Sequence, residues 1–333
     1  MAHRRKSTSR KKGSSHFWSK LLFILILLIL GVGFGIWKYP TTARQWVAVI
    51  VEKVRPARQN PPREPQPEPS VTPSTMIPPE PIVTVPGSTT AQQQSVITVQ
   101  TQYDHLKLGV PGKADKIIDR LGYALGYIEY HEQPAWVIYH LTKEQALTKA
   151  AKRGDDFRED PEIPTGSATL ADYRRSGYDR GHLAPAADMA FSVRTMSDSF
   201  YMSNMSPQKP AFNRGIWKNL EAQVRYFAIT EKDIYVVTGP VLPKTKTVTI
   251  GGNRVTVPTH YYKIVYDRTP PEKMIAFILS NDGSDRPLQD FAVTVDAVEA
   301  ATGLNFFSVV PQPKQEQLES TISVQDWRWK RRK

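Results

Sequence analysis

The sequence contains no cysteine. That absence excludes disulfides, thiolate metal sites and a cysteine nucleophile, so any chemistry falls to oxygen and nitrogen side chains. A uniform basic field is missing too, although the formal net charge is +12. Residues 101–311 carry 25 Lys+Arg against 25 Asp+Glu, whereas residues 1–100 carry 13 against 4 and residues 312–333 carry 6 against 3. A polyanion would meet no long-range attraction over the neutral middle, and any site for one must be a local cluster of Lys and Arg. Internal repeats and a regular βαβ alternation are also absent, and the mixture of strand and helix patterns points to an α+β domain.

The excess charge lies at the ends. Residues 1–20 hold Arg4, Arg5, Lys6, Arg10, Lys11, Lys12 and Lys20 without one acid. Leu21 to Trp37 follow as 17 uncharged residues flanked by Trp18 and Tyr39, at the short end of the roughly 17–25 that span a bilayer. The expectation is a single transmembrane helix over 21–38, with the basic tail 1–20 cytoplasmic and the rest of the chain periplasmic or extracellular. A cleaved signal peptide is the alternative, and no clear small-x-small site supports it. Residues 39–95 include the proline-dense "RPARQNPPREPQPEPS" and read as a semi-rigid linker without a core. The segment 312–333 reads as a polar, then basic and aromatic, tail.

Residues 96–311 remain as one domain. Short runs such as "AWVIYHL", "DIYVVTGPV", "HYYKIVY" and "MIAFILS" predict strands. Helical spacing appears in "PGKADKIIDRLG", in part of "TKEQALTKAA", in "NRGIWKNLEAQVRYFAI" and in "VTVDAVEAATG".

Within the domain, "SGYDRGHLAPAADM" sets an acid, an arginine, a glycine and a histidine side by side. Gly181 removes a side chain where other groups can approach, and Pro185 ends regular pairing, so His182 is expected at a strand end facing a cleft. A structural histidine is the competing reading. Downstream, Asn213, Trp217 and Glu221 recur every four residues along a predicted helix. Asn213 could cap that helix, or its oxygen could serve as a hard neutral ligand for Mg²⁺. Glu221 lies about 12 Å further along, reaching at most a water of such an ion, or else it pairs with Lys218 or Arg225.

These residues resemble the DNA/RNA non-specific endonucleases, the ββα-metal nucleases that include endonuclease G. The matching positions are Asp179, Arg180, Gly181 and His182, then Asn204, Pro207 and Gln208, then Asn213, Trp217, Leu220 and Glu221. The resemblance covers most of residues 101–311 and neither the anchor, the linker nor the tail. It implies an α+β domain around a central, mainly antiparallel sheet with the site on a strand, strand, helix unit. It also implies hydrolysis of both DNA and RNA to 5′-phosphate and 3′-hydroxyl ends, with Mg²⁺, or Mn²⁺ in its place, as cofactor, and a homodimer.

On that basis His182 is the general base that takes a proton from water, and Asn213 holds the metal. Arg180 meets a phosphate oxygen with its planar fork unless it pairs with Asp179, and Glu221 orders a water of the ion. Arg158 is a weaker candidate for substrate contact, with pairing to Asp160 preferred. Two other function classes stay open: a catalytically silent, membrane-tethered protein for nucleic-acid binding or uptake, and a phosphodiesterase for small molecules.

Overall fold

The computed structural model describes residues 102–330. The basic block, the apolar run and the linker expected over 1–95 therefore lie outside the described residues. Among the described residues, no helix is long and apolar enough to cross a membrane.

In chain order the strands are β1 (Lys116–Asp119), β2 (Ala124–Ile128), β3 (Gln133–Thr142), β4 (Asp179–His182), β5 (Met205–Gln208) and β6 (Asp233–Pro240). After them come β7 (Thr249–Ile250), β8 (Val255–Thr256), β9 (His260–Asp267), β10 (Lys273–Ser280) and β11 (Ala292–Val293). Seven form one sheet in the order β1-β2-β3-β6-β9-β10-β11, with every neighbour antiparallel. The four expected apolar runs are its long central strands β3, β6, β9 and β10. Hairpins β4–β5 and β7–β8 stand apart from it.

The helices are α1 (Lys143–Leu147), α2 (Leu170–Tyr173), α3 (Val193–Asp198), α4 (Lys218–Glu231), α5 (Val295–Thr302) and α6 (Gln312–Glu319). Strand alternation sends Val137, Tyr139 and Leu141 of β3 to one face, where Trp217, Leu220, Val224 and Phe227 close over them. Trp136 and Ile138 point to the other face, which is covered by Leu106, Leu108, Val298 of α5, Phe306 and Phe307. The central strands are buried on both faces, which is why their sequences read as nearly unbroken apolar runs. Each fully buried side chain of this size contributes roughly 1.5–3 kcal/mol, so α4 is held chiefly by the stripe Leu220, Val224 and Phe227.

Two expectations change. The helix expected over "PGKADKIIDRLG" is instead β1, paired from Lys116↔Tyr127 to Asp119↔Ala124. Pro111, Gly112 and Gly122 leave too short a stretch for a stable helix, and the edge of β2 satisfies its backbone. The segment expected as a tail folds back onto the domain. Trp327 is 3 % exposed, with its ring centroid 4.6 Å from that of Phe227. Gln223 of α4 ties the segment down, donating to the Arg328 carbonyl at 3.1 Å and accepting from the Lys330 amide at 3.0 Å. Two tryptophans in a polar stretch are enough to dock it.

Candidate active site

The quoted motif forms β4, and its partner β5 comes from "SPQ". Register places Asp179 opposite Gln208 and His182 opposite Met205. A side chain at Gly181 would overlap Gln208, whose amide is buried across the strand. Asn204 then fixes the chain leaving His182. Its Oδ1 accepts from the Ala184 amide at 2.9 Å, and its Nδ2 donates to the carbonyls of Ala184 and Ser199 at 3.0 and 2.9 Å.

His182 ends the strand as expected. It is 7 % exposed, and the Phe200 ring meets it edge-on at 4.9 Å between centroids. Neither ring nitrogen has a hydrogen-bond partner among the described residues. Nε2 is fully buried, which leaves Nδ1 as the nitrogen with access to solvent. Burial, reinforced by the positive charges of Arg153 and Arg180, pushes the imidazole pKa down to about 3. The ring is therefore neutral at physiological pH with a lone pair available.

Arg180 does not pair with Asp179. Its guanidinium lies 4.3 Å from the Phe157 ring centroid, and its Nε is buried without a partner among the described residues. Asp179 is instead held by Arg214 through two bonds of 2.8 and 2.6 Å, and it accepts from Asn213 Nδ2 at 2.9 Å. Burial raises the Asp179 carboxyl, but the hydrogen bonds from Arg214 and Asn213 outweigh it and hold the group below the usual range.

Asn213 is not a helix cap. It lies in a wide turn over Phe212–Trp217, broken at Gly215 (φ −102°, ψ −113°), and α4 begins only at Lys218. Such π-type interruptions recur at functional sites. With Nδ2 bound to Asp179, the amide is fixed and Oδ1 is left without a partner among the described residues. A fixed, unengaged hard oxygen fits a divalent ion that keeps most of its waters. The Asn213–Asp179 bond ties this turn to β4 three residues before His182, about 10 Å along the strand.

A cavity of about 290 Å³ opens here, lined by Arg153, Asp155, Phe157, Tyr173, Tyr178, Asp179, Arg180 and Asn213. With Asp179 neutralised by Arg214, the lining favours an anion. His182 does not itself line the cavity; its ring centroid is 5.6 Å from that of Phe157, which does. Arg158 and Glu221 do not line this cavity. Arg158 donates to Asp156 at 2.9 Å and to the Ser197 carbonyl at 3.0 Å, and it makes no bond to Asp160. Glu221, in the first turn of α4, pairs directly with neither Lys218 nor Arg225 and lies among Lys263, Asp188, Arg225 and Arg153. A larger groove of about 780 Å³ runs between α4, residues 284–289 and Trp329, and no candidate residue lines it.

Sequence reasoning missed Arg153, Tyr178 and Arg214. Only Arg214 carried a signal, as a cation adjacent to Asn213.

The family model for DNA/RNA non-specific endonucleases matches residues 102–313. The chain belongs to the DNA/RNA non-specific endonuclease family. It is 36% identical over 242 residues to the mitochondrial nuclease of Saccharomyces cerevisiae, covering 66% of this chain and 74% of the relative. It is 37% identical over 214 residues to the human mitochondrial endonuclease G, covering 60% and 72%. It is 40% identical over 219 residues to nuclease C1 of Cunninghamella echinulata, covering 61% and 86%. A crystal structure of an EndoG/EndoGI complex aligns with a TM-score of 0.58 at 36% identity, over 62% of this chain and 91% of the other. The protein is thus a nucleic-acid-hydrolysing endonuclease with an α+β nuclease domain, and a divalent metal cofactor is consistent with its family.

Proposed function

We propose that this nuclease cleaves DNA and RNA without sequence preference in a Mg²⁺-dependent reaction that starts at His182. A phosphodiester needs an activated water, charge neutralisation and help for a poor leaving group. His182 supplies the base: its neutral ring, open at Nδ1, takes the proton from the attacking water. Arg180 and Arg153 hold the phosphate oxygens from the cavity wall. Asn213 Oδ1 would hold the ion, fixed for that task by Asp179. When bound, the ion neutralises phosphate charge and supports the departing 3′ oxygen. Glu221 would accept a hydrogen bond from a water of the ion. All these contacts are to backbone rather than to bases, which favours low discrimination between sequences and between sugars. Arg158, bonded to Asp156 and Ser197, is left with at most a contact at the margin.

The observation that carries this reading is a buried, neutral, hydrogen-bond-free imidazole held three residues from an acid that fixes a free carboxamide oxygen. A nucleic-acid-binding protein needs neither feature. Nicking of supercoiled plasmid and degradation of RNA with Mg²⁺, both abolished by EDTA, is the expected result. Retention of uncut DNA regardless of metal would instead mark a binding protein, and cleavage of a small diester alone would mark a phosphodiesterase.

For its setting we propose an anchor at Leu21 to Trp37, the amino terminus in the cytoplasm and the nuclease domain in the periplasm or outside the cell. The basic block before the apolar run supports this orientation. Protease should then cut the domain in cells whose outer layer is permeabilised while the inner membrane stays closed. We also propose pairing as a homodimer, which light scattering on the purified chain would read.

A further inference from the structure

One buried charge has no place in the machinery described so far. Lys263 lies mid-strand in β9, opposite Thr238 of β6 and Phe277 of β10, and is fully buried. It shares with Tyr261 and Val265 the face packed against α4. Its Nζ has no hydrogen-bond partner among the described residues and sits 4.8 Å from the centroid of the Trp217 ring. An ammonium buried in this way loses solvation that no hydrogen bond offsets, and methionine would fill the same space without that loss.

Counting charges gives the lysine a task. Lys263 Nζ lies against the ring of Trp217, which stands at the N-cap of α4 four residues before Glu221, and there the charges of Lys263, Glu221, Asp188 and Arg225 act on one another. Arg225 donates to Asp188, which also accepts from Tyr139 Oη at 2.9 Å, so that pair is closed. Glu221 and Lys263 remain as the unclosed anion and cation.

We propose that Lys263 is a positioning residue for the reaction, its buried ammonium keeping Glu221 ionised so that the carboxylate can accept a hydrogen bond from the ion's hydration shell. This rests on the role given above to Glu221. Burial pushes the Glu221 carboxyl up and the Lys263 ammonium down, and each charge pulls the other back. Asp188 also raises Glu221, while Arg225 and Arg153 lower it; Asp188 raises Lys263 and Arg225 lowers it. Removing the ammonium leaves the group one negative charge in excess, and Glu221 relieves it by taking a proton.

The test follows the Glu221 carboxyl by NMR titration in the metal-free protein, where Lys263→Met should raise its pKa and an unchanged titration overturns the proposal, and compares kcat/KM for plasmid cleavage across pH in the wild type, Lys263→Met, Glu221→Gln and the double variant. Lys263→Met should move the acid limb up by about one pH unit or more, with roughly a tenfold loss below it and a plateau at higher pH within a few-fold of wild type. In the Glu221→Gln background the same substitution should change the rate by less than about twofold. A Lys263→Met profile that superimposes on wild type, or a loss that is uniform in pH and adds in full to Glu221→Gln, overturns the proposal. A Glu221→Gln rate equal to wild type removes the role of Glu221 itself, and the proposal with it. Should Lys263→Met fail to fold, Lys263→Gln carries the same comparison.

Discussion

Two arginines of this nuclease sit in polar clusters, and they are treated in opposite ways. Arg120 is 5 % exposed and saturated: it donates to Asp160 at 2.6 Å, Glu162 at 2.9 Å and Tyr123 Oη at 3.2 Å. Asp160 in turn accepts from Ser203, and its own amide is bound by Ser167. Around Arg180 the polar atoms are left open. Arg180 Nε, His182 Nε2, Tyr173 Oη and both ends of the Gln208 amide are buried without partners among the described residues. Buried polar groups are normally satisfied because leaving them without partners costs free energy. A closed network holds a fold, whereas an open one is aimed at something that arrives from outside.

This contrast can be broken by exchanging effects between the clusters. His182→Ala should lower the cleavage rate by about 10²–10⁴-fold while the melting temperature stays the same or rises. Arg120→Ala should do the reverse. Opening a buried pair costs about 3–5 kcal/mol, on the order of 10 °C in melting temperature, with cleavage by the folded fraction largely kept. Arg180→Lys keeps the charge and loses the fork, and a drop of roughly 10–100-fold in kcat/KM is expected.

Acid sharpens the comparison further. The folded pKa of His182, about 3, lies below the ordinary imidazole value of 6.5, so the unfolded chain binds the extra proton between them. Its contribution to stability is present above about pH 6.5 and is lost as pH falls towards 3. The melting temperature of the wild type should therefore fall more steeply over that range than that of His182→Asn, as calorimetry would show. The smallest effect belongs to Arg158→Ala. Its ion pair with Asp156 is 34 % and 48 % exposed, so about 1 kcal/mol or less of stability and a change of only a few-fold in rate are expected.

What the sequence could show followed chain distance. The four apolar runs, the strand-end position of His182 and the apolar stripe of α4 are local patterns and were legible. The bonds that fix the site were not. Arg214 reaches Asp179 across 35 residues, and Lys263 stands 42 positions after Glu221 in an unremarkable strand. The sequence leaves open whether Arg180 meets a phosphate or pairs with Asp179, because adjacency is all that a sequence displays. The docked Trp327 was hidden by the polar residues around it, and β1 by a spacing too short to tell a strand from a helix.

The account turns on the His182 ring being kept neutral and unpaired, ready for a proton. NMR titration of the histidine ring nitrogens in the metal-free protein measures that directly. The account predicts that His182 stays neutral through pH 6.5 and takes up its proton only well below that value. A His182 ring that titrates near 6.5, as a solvated histidine does, or that is already charged at neutral pH, would contradict it.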